Sequence, residues 1–440
     1  MEPGRLPVGF AEAFRFWLKL GFISFGGPTG QIAIMHQELV ERRRWISEKR
    51  FLHALNYCML LPVPEATQLA TYIGWMMHRT LGGIVAGVLF VLPSVFILIA
   101  LSWIYLAYGN LPLVAGIFYG IKPAVVAIVL AAAHRIGMRA LKSAWQWGIA
   151  AAAFVAIFAF DVPFPAIVLA AAIAGYLGGR FAPVPVSSHG TTKDAAHRPA
   201  VIDDDTPTPA HARFTWPRLW ACCAAGLAIW ALAMGALAMA FGVSGTLTQM
   251  GWFFTKAALL TFGGAYAVLP YVYQGGVEHF GWLSAAQMID GLALGETTPG
   301  PLIMVVAFVG FVGAWTQEAL GPESLAAAGV AGAVVATFFT FLPSFIFIFM
   351  GAPFIETTHG NLKFTAPLSG ITAAVVGVVL NLAMFFAYHV LWPQGLAGGF
   401  DWVTALIGAG ALAALLRYQL GVVRVIGACA ALGLMTRLFV

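Results

Sequence analysis

Hydrophobic and polar positions alternate on a long scale along this chain. Apolar stretches of about twenty residues, the length that an α-helix needs to cross a bilayer, are separated by short polar connections. The length of the apolar stretches is typical of helices. Most of the polar connections are too short to form separate domains between them. The pattern predicts an all-α polytopic membrane protein with about 12–13 hydrophobic segments.

Some apolar segments contain residues that interrupt a helix. The stretch "LLPVPEAT", residues 60–67, places two prolines and a glutamate inside one of them. Proline removes a helical hydrogen bond, and a carboxylate in hydrocarbon costs about 2.5–3.5 kcal/mol on insertion scales. Irregular backbone at membrane depth survives only when it is buried in protein or lines a watery cavity. We therefore predict two half-helices that meet at Pro62–Pro64.

The chain is a duplicated module. At a shift of 237 residues, "FWLK" from Phe16 aligns with "FFTK" from Phe253, and "SFGG" from Ser24 aligns with "TFGG" from Thr261. The same shift places Pro62-Val63-Pro64 on Pro299-Gly300-Pro301. Further on, at a shift of 250, "LPS" from Leu92 and "GIKPAVVAIVL" from Gly120 align with "LPS" from Leu342 and "GITAAVVGVVL" from Gly370. The helix breaks therefore recur at equivalent places in both halves.

Positive charge predicts that the halves are inverted. Residues 36–50 carry five basic side chains, and the equivalent residues 273–287 carry no Lys or Arg. Residues 134–142 carry three, and the equivalent 384–392 carry none. Because Lys and Arg concentrate in cytoplasmic loops, the first half keeps these loops inside and the second turns them outward. Inverted repeats with broken helices are common among secondary transporters.

The predicted organisation has four parts. Residues 1–179 form an N-terminal repeat, 180–218 a polar cytoplasmic linker, 219–242 a connecting transmembrane helix, and 243–440 the inverted C-terminal repeat. The linker composition predicts a flexible tether. Its Asp203-Asp204-Asp205 run is interpreted as a solvated charge run, with cation binding as the alternative. Segment 51–77 is expected to enter and leave at the cytoplasmic face, whereas segments 10–35 and 249–272 either cross or re-enter.

Composition narrows the function classes. The chain is 60% hydrophobic and 9% charged, against roughly 25% charged in soluble domains, and its mean hydropathy is +0.87. A net charge of +5 fits cytoplasmic loops better than nucleic-acid binding. The four cysteines show no metal or disulfide spacing. We predict no catalytic residues, no metal site, no cofactor and no nucleic-acid partner; a homodimer stays open.

The breaks predict an anion site. A half-helix that begins at membrane depth directs free N–H groups and the positive end of its dipole toward the centre. Lys19 and Lys256, paired by the repeat, and Lys122 add positive charge, although a lysine can also snorkel to the headgroups. The candidate path residues are Lys19, Ser24, Phe25, Gly26, Gly27, Pro62, Pro64, Glu65, Gln68, Lys122, Lys256, Phe262, Gly263, Gly264, Thr297, Thr298, Pro299, Gly300 and Pro301.

Several candidates have structural alternatives. Glu65 is either a helix cap or a proton-carrying gate, and the two roles can coexist. Gln68 and the hydroxyls of Thr297 and Thr298 could hydrogen-bond an oxyanion. The paired glycines at 26–27 and 263–264 could serve only close helix packing. His53 and Asp290 occupy equivalent positions but differ in kind, so no shared role is expected.

The motifs together resemble the chromate ion transporter family in its two-domain form. They are "FISFGGPTGQIAIMH", "LPVPEATQLATYIGW", "FVLPS", "LTFGGAYAVLP" and "TTPGPLIMVVAFVGF". The resemblance covers nearly all of the chain outside the linker. The family pattern Pro-Gly-Pro-Glu-Ala is Pro62-Val63-Pro64-Glu65-Ala66 here, so Val63 replaces a glycine that the second half keeps as Gly300.

The resemblance implies export of chromate from the cytoplasm, chromate resistance, and sulfate as a look-alike ion. It also implies a multi-pass protein of the bacterial inner membrane. Coupling to protons is a further expectation, with Glu65 as the carboxylate to carry one. The alternatives are an exporter of another oxyanion and, remotely, an intramembrane enzyme, because "GVSG" around Ser244 is similar to a nucleophilic-serine motif.

Overall fold

In the computed structural model, the structure describes residues 8–25, 27–62, 64–109, 111–181, 200–204, 206–207, 209–262, 265–357 and 365–439. In this part of the chain the regular secondary structure is helical. The α-helices are α1 (Phe10–Ile23), α2 (Gly27–His36), α3 (Glu48–Cys58), α4 (Glu65–Tyr108), α5 (Pro112–Ala140), α6 (Ala144–Phe160), α7 (Phe164–Phe181), α8 (Trp216–Phe241), α9 (Thr246–Leu260), α10 (Val268–Tyr273), α11 (Ala285–Thr297), α12 (Val305–Thr316), α13 (Leu325–Thr357), α14 (Thr365–Leu391), α15 (Trp402–Leu416) and α16 (Val422–Phe439).

Five of these helices, namely α4, α5, α8, α13 and α14, are long and apolar enough to span a membrane. The prediction of an all-α membrane protein is confirmed. Short π-helical turns, Gln37–Arg42 and Gln274–His279, follow α2 and α10 at equivalent places in the two halves. The predicted loop after residue 36 is therefore partly helical.

Helix α4 contains a tight turn. His78 and Arg79 leave the helical region, and Arg79 has φ 57°. The first arm, 65–77, packs antiparallel against the second arm, 80–108, with Gly74 so near Gly82 that a Cβ on either would strike the other's carbonyl oxygen. Glycine is needed at this approach because any side chain would separate the arms.

Contacts at one end of the molecule show that two segments of the first half are re-entrant. Arg43 lies 3.5 Å from Glu12, and His36 Nε2 lies 2.5 Å from Glu48. His78 Nε2 lies 2.9 Å from the carbonyl oxygen of Val8. Segments 10–36 and 48–77 thus each enter and leave by the end that carries the basic loop, which we call the inner end.

The re-entrant segments of the second half enter and leave at the opposite end of the molecule. Along α4, Tyr105 lies about 39 Å from Arg79 at 1.5 Å per residue, and its hydroxyl contacts Asp290 of α11. The hydroxyl of Thr316, at the end of α12, donates to the carbonyl oxygen of Trp282 at 2.7 Å, so the α11–α12 segment returns to where it began. The rings of Phe253 and Tyr271 stack at 4.9 Å and close the α9–α10 segment in the same way. The two halves are inverted, as predicted.

The halves exchange their packing partners. Helix α14 packs against α6 and α7, whereas its repeat equivalent α5 packs against α15 and α16. A Cβ on Gly120 would strike the carbonyl oxygen of Cys429, and a Cβ on the equivalent Gly370 would strike that of Ala171. Each repeat therefore completes the core of the other.

The described linker residues between 200 and 212, here called the strap, dock on the inner end. Val201 and Ile202 donate backbone hydrogen bonds to the carbonyl oxygens of Arg44 and Trp45 at 2.9 and 3.0 Å. The buried Asp203 carboxylate accepts the backbone N–H groups of Ala200 and Asp204. The prediction of a flexible tether is therefore wrong for the strap, which is docked on the protein. The prediction of a solvated charge run is wrong for Asp203, because its carboxylate oxygens accept hydrogen bonds from backbone N–H groups.

Candidate functional site

The first break of one repeat meets the second break of the other at the middle of the fold. The N–H of Gly300 donates to the carbonyl oxygen of Ser24 at 2.7 Å, and the Gln31 amide donates to that of Gly300 at 2.5 Å. The Ser94 hydroxyl donates to the carbonyl oxygen of Pro299. Gly300 has φ 108°, which only glycine adopts readily. The predicted convergence of the breaks is thus seen for these residues.

The serines of the two "LPS" motifs occupy related places. Ser94 contacts the break of the second half, and Ser344 lies 3.3 Å from the Gln68 amide of the first half. The same amide donates to the carbonyl oxygen of Pro62 at 2.6 Å. Each long helix therefore holds the opposite repeat's break through one buried serine.

Three half-helices begin at this centre. Helix α2 begins at Gly27 (φ 71°), α4 begins after Pro64, and the 3₁₀ turn Leu302–Met304 after Pro301 leads into α12. Their first-turn N–H groups have no intrahelical acceptor, so the centre carries positive partial charge. Phe25 is exposed beside the first break and Phe262 is half-buried beside its equivalent. Gly26, Val63, Gly263 and Gly264 lie outside the described residues.

Several buried polar atoms around the centre have no hydrogen-bond partner among the described residues. They include two hydroxyls, which can donate to an oxyanion, and three acceptor oxygens, which cannot unless the carboxyl is protonated. Buried polar groups are normally paired, so such a cluster is typical of a ligand or proton site. The atoms are Ser24 Oγ, Thr67 Oγ1, Gln31 Oε1, Gln68 Oε1 and Glu65 Oε2.

The predicted hydroxyl donors of the second half are used within their own helix. Thr297 donates to the carbonyl oxygens of Ala293 and Leu294, and Thr298 donates to that of Leu294 at 2.7 Å. In this conformation both hydroxyl protons serve the end of α11, because its last carbonyl groups lack intrahelical donors.

The paired lysines do not meet at the centre. Lys19 and Lys256 lie on exposed faces of α1 and α9. Lys256 lies 5.9 Å from the ring centre of Trp252 and lines a cavity of about 1290 Å³. The structure therefore places these charges at the flanks of the two re-entrant segments.

Lys122 has a partner that the sequence reasoning missed. Its Nζ lies 3.6 Å from Oδ2 of Asp290, and the Tyr105 hydroxyl donates to the same oxygen at 2.9 Å. A second buried carboxylate, Glu296, accepts from Tyr266 at 2.5 Å. The signal was present, because a carboxylate inside an apolar segment is a functional hypothesis by default.

At the inner end, Glu38 binds two arginines. Arg42 donates to one carboxylate oxygen at 2.6 Å, and Arg43 approaches the other at 3.4 Å. Partial burial raises the pKa of Glu38, but the two arginines outweigh it and hold that pKa below its ordinary value of 4.5. The basic loop is therefore partly neutralised and fixed in place.

Arg50 and Tyr72 of the first half both contact the Glu356 carboxylate near the end of α13. Ser244, the candidate nucleophile of the enzyme alternative, lies exposed in the loop between α8 and α9. The buried polar centre and the exposed serine are in different parts of the molecule.

Inverted repeats, re-entrant helices and a polar centre at the meeting of the breaks define a membrane transporter of the inverted-repeat class. The chain belongs to the chromate transporter family, whose profile, described as Chromate transporter, matches residues 11–176 and 248–434. The predicted family membership is confirmed.

Relatives match the chain over most of its length. A chromate transport protein of Pseudomonas aeruginosa is 32% identical over 91% of this chain and 89% of its own. One of Cupriavidus metallidurans is 29% identical over 92% of this chain and 87% of its own. An uncharacterized transporter of Bacillus subtilis is 30% identical over 30% of this chain and 68% of its own. No solved structure was found to match the chain.

Proposed function

We propose that this chain exports chromate from the cytoplasm and thereby gives chromate resistance, with sulfate as a competing ion. The observation that carries the proposal is the meeting of the Ser24 and Gly300 breaks at a buried centre where half-helices begin. Free N–H groups and hydroxyls are the donors that a tetrahedral oxyanion needs. The relatives named for chromate transport support the choice of ion.

The membrane potential supplies a driving force for this direction. Moving one charge across 100 mV is worth about 2.3 kcal/mol, so a dianion leaving a negative interior gains about twice that. The protein has only to offer a selective path with alternating access. Export therefore requires no energy source beyond the potential.

Glu65 is the proposed coupling group. It lies in the first turn of α4, where its carboxylate competes with an oxyanion for the same N–H groups, and its Oε2 is buried without a partner among the described residues. Protonation removes that repulsion and admits the oxyanion. If the proton reaches Glu65 from outside and leaves to the cytoplasm as the oxyanion is expelled outward, the pH gradient adds to the potential as a driving force for export.

Chromate uptake by everted membrane vesicles tests the proposal. Vesicles that contain the protein are expected to accumulate chromate, to lose accumulation when sulfate is added in excess, and to respond to a protonophore. Uptake equal to that of vesicles without the protein contradicts export. Uptake that sulfate does not reduce contradicts a shared oxyanion site.

Glu65→Gln tests the coupling separately. The variant is expected to exchange chromate across the membrane but to lose stimulation by a pH gradient, because the amide cannot take up a proton. Glu48→Gln is the matched control, since Glu48 also begins a helix but lies exposed at the inner end. An unchanged pH response in the Glu65 variant would make this residue only a helix cap.

The bacterial inner membrane is the proposed location, and a homodimer is part of the hypothesis. Helix α8 supports a membrane location and leaves a surface for a second copy, because it is apolar and, of its residues, only Gly226 is buried. Lipid or a second copy would cover the remaining surface. Crosslinking of a cysteine variant at the exposed Leu232 would show a dimer if α8 pairs with α8.

A further inference from the structure

The pair formed by Lys122 and Asp290 lies in the wall of a cavity near the outer end. Asp290 exposes 4% of its side chain and Lys122 exposes 32%. The cavity has a volume of about 740 Å³, far more than one water molecule needs. An oxyanion with part of its hydration shell therefore fits beside the lysine.

Lys122 and Asp290 are close enough to form an ion pair but not a short hydrogen bond. The distance of 3.6 Å between Lys122 Nζ and Asp290 Oδ2 exceeds the 2.7–2.9 Å of a charge-assisted hydrogen bond. Oδ2 is shared with the Tyr105 hydroxyl, and Oδ1 is buried with no partner in the described part of the chain. A buried carboxylate with one unsatisfied oxygen is costly, and such groups in membrane segments are usually functional.

The repeat shows that the carboxylate is not needed for packing. Asp290 is equivalent to His53, and Tyr105 is equivalent to Ile355. At the inner end His53 Nε2 lies 3.2 Å from the carbonyl oxygen of Ile355, so the same contact between a re-entrant arm and the opposite long helix exists without an acid. A contact of this kind therefore does not by itself require an acid.

The other groups around the cavity leave Lys122 available to a ligand. Asp401 accepts from Tyr119 and caps α15, so its charge is already satisfied. The Arg437 guanidinium lies 5.1 Å from the ring centre of Tyr119 and adds positive potential. The titratable groups that line the cavity are Tyr105, Tyr119, Lys122, Asp290, His389, Asp401 and Arg437.

We propose that Lys122 alternates between Asp290 and the transported oxyanion, so that this pair is an outer oxyanion subsite that an internal carboxylate closes when the ion has left. The inference rests on the proposed function and assigns its exit step. Asp290 occupies the lysine in the empty transporter and lowers the affinity of the outer subsite, which promotes release. Rebinding from outside must displace the carboxylate.

Sulfate binding to the purified full-length protein, measured by calorimetry and repeated with chromate, tests this exchange. Asp290→Asn is expected to tighten binding about two- to fivefold, the effect of ~0.4–1 kcal/mol for losing a partly exposed competing pair. Lys122→Gln is expected to weaken binding. In the double variant the gain from Asp290→Asn is expected to vanish, because the lysine that it frees is absent.

Two further variants keep the test decisive. Glu323→Gln is the control, an exposed acid in the turn Pro322–Ser324 that does not line the cavity; sulfate affinity is expected to stay unchanged in this variant. If Asp290→Asn does not fold, Tyr105→Phe serves instead. Removing that hydroxyl leaves Oδ2 more negative, strengthens its hold on Lys122 and is expected to weaken sulfate binding.

The outcomes separate the two proposals. The exchange is overturned if Asp290→Asn binds sulfate no more tightly than the wild type. It is also overturned if Asp290→Asn tightens binding equally in protein that carries Lys122→Gln. In both cases the proposed function stands. If both single variants fail to fold but the double variant transports fully, the ion pair is purely structural. This result also overturns the exchange. Wild-type protein that binds neither sulfate nor chromate overturns the proposed function.

Discussion

Gly300→Ala is expected to disrupt the centre of the transporter more than any ordinary glycine substitution. Gly300 has φ 108°, and a Cβ there would collide with the Ser94 hydroxyl oxygen. A non-glycine residue in so sparsely populated a conformation costs about 1–3 kcal/mol. Overpacking adds typically 1–3 kcal/mol. If Ser94 rotates away instead, its hydrogen bond to Pro299 is lost at a cost of about 0.5–1.5 kcal/mol.

The combined cost of about 2–6 kcal/mol is a large share of the 5–15 kcal/mol by which a folded domain is stable. We expect a clearly lower thermal midpoint for the purified protein and loss of chromate uptake in everted vesicles. Gly321→Ala is the matched control: Gly321 has φ 88° but no atom within 4 Å of its would-be Cβ. The double variant Gly300→Ala with Ser94→Ala should regain only the part of the stability that Gly300→Ala loses through overpacking. A Gly300 variant as stable and active as the Gly321 variant would refute this reasoning.

Three further outcomes are expected. Lys19→Met and Lys256→Met should each lower chromate flux while the protein still reaches the membrane; normal export by both would show that the lysines only snorkel. Reporter fusions at Arg44 and Gly276 should label opposite faces of the membrane, and labels on the same face would contradict the inversion. Burial lowers the pKa of His211 below its ordinary 6.5, so docking of the strap should weaken as pH falls through about 6.5, since the released strap binds the proton more readily. Protection of the Val201 and Ile202 backbone amides from hydrogen exchange, corrected for the intrinsic exchange rate at each pH, should then be lower at pH 5.5 than at 7.5, and pH-independent protection would contradict this.

The first two proposals concern different atoms of one path. The centre at Gly300 is built from backbone groups. A substitution cannot remove a backbone group and perturbs it only by steric clash. The outer subsite is built from side chains, which substitution removes directly. Selective failure of one set of variants would therefore show which part of the path selects the ion.

The sequence determined the duplication, the helix breaks and the relative orientation of the halves. Each depends on information that is local or periodic: a shift of 237 or 250 residues, a proline in an apolar run, or a count of basic residues in a loop. Membrane insertion makes such patterns reliable, because a backbone in hydrocarbon has few alternatives to a helix. The family profile likewise matches two regions, one in each half.

Only the tertiary structure decided which residues meet. Ser94 and Ser344 were visible in the repeat, yet their roles depend on the long helices crossing the opposite repeat, which no local pattern encodes. The pairing of Lys122 with Asp290 joins residues far apart in sequence and has no repeat equivalent. Side-chain partners of this kind follow from helix packing across the pseudo-twofold axis, where one turn of rotation decides between a buried contact and an exposed face.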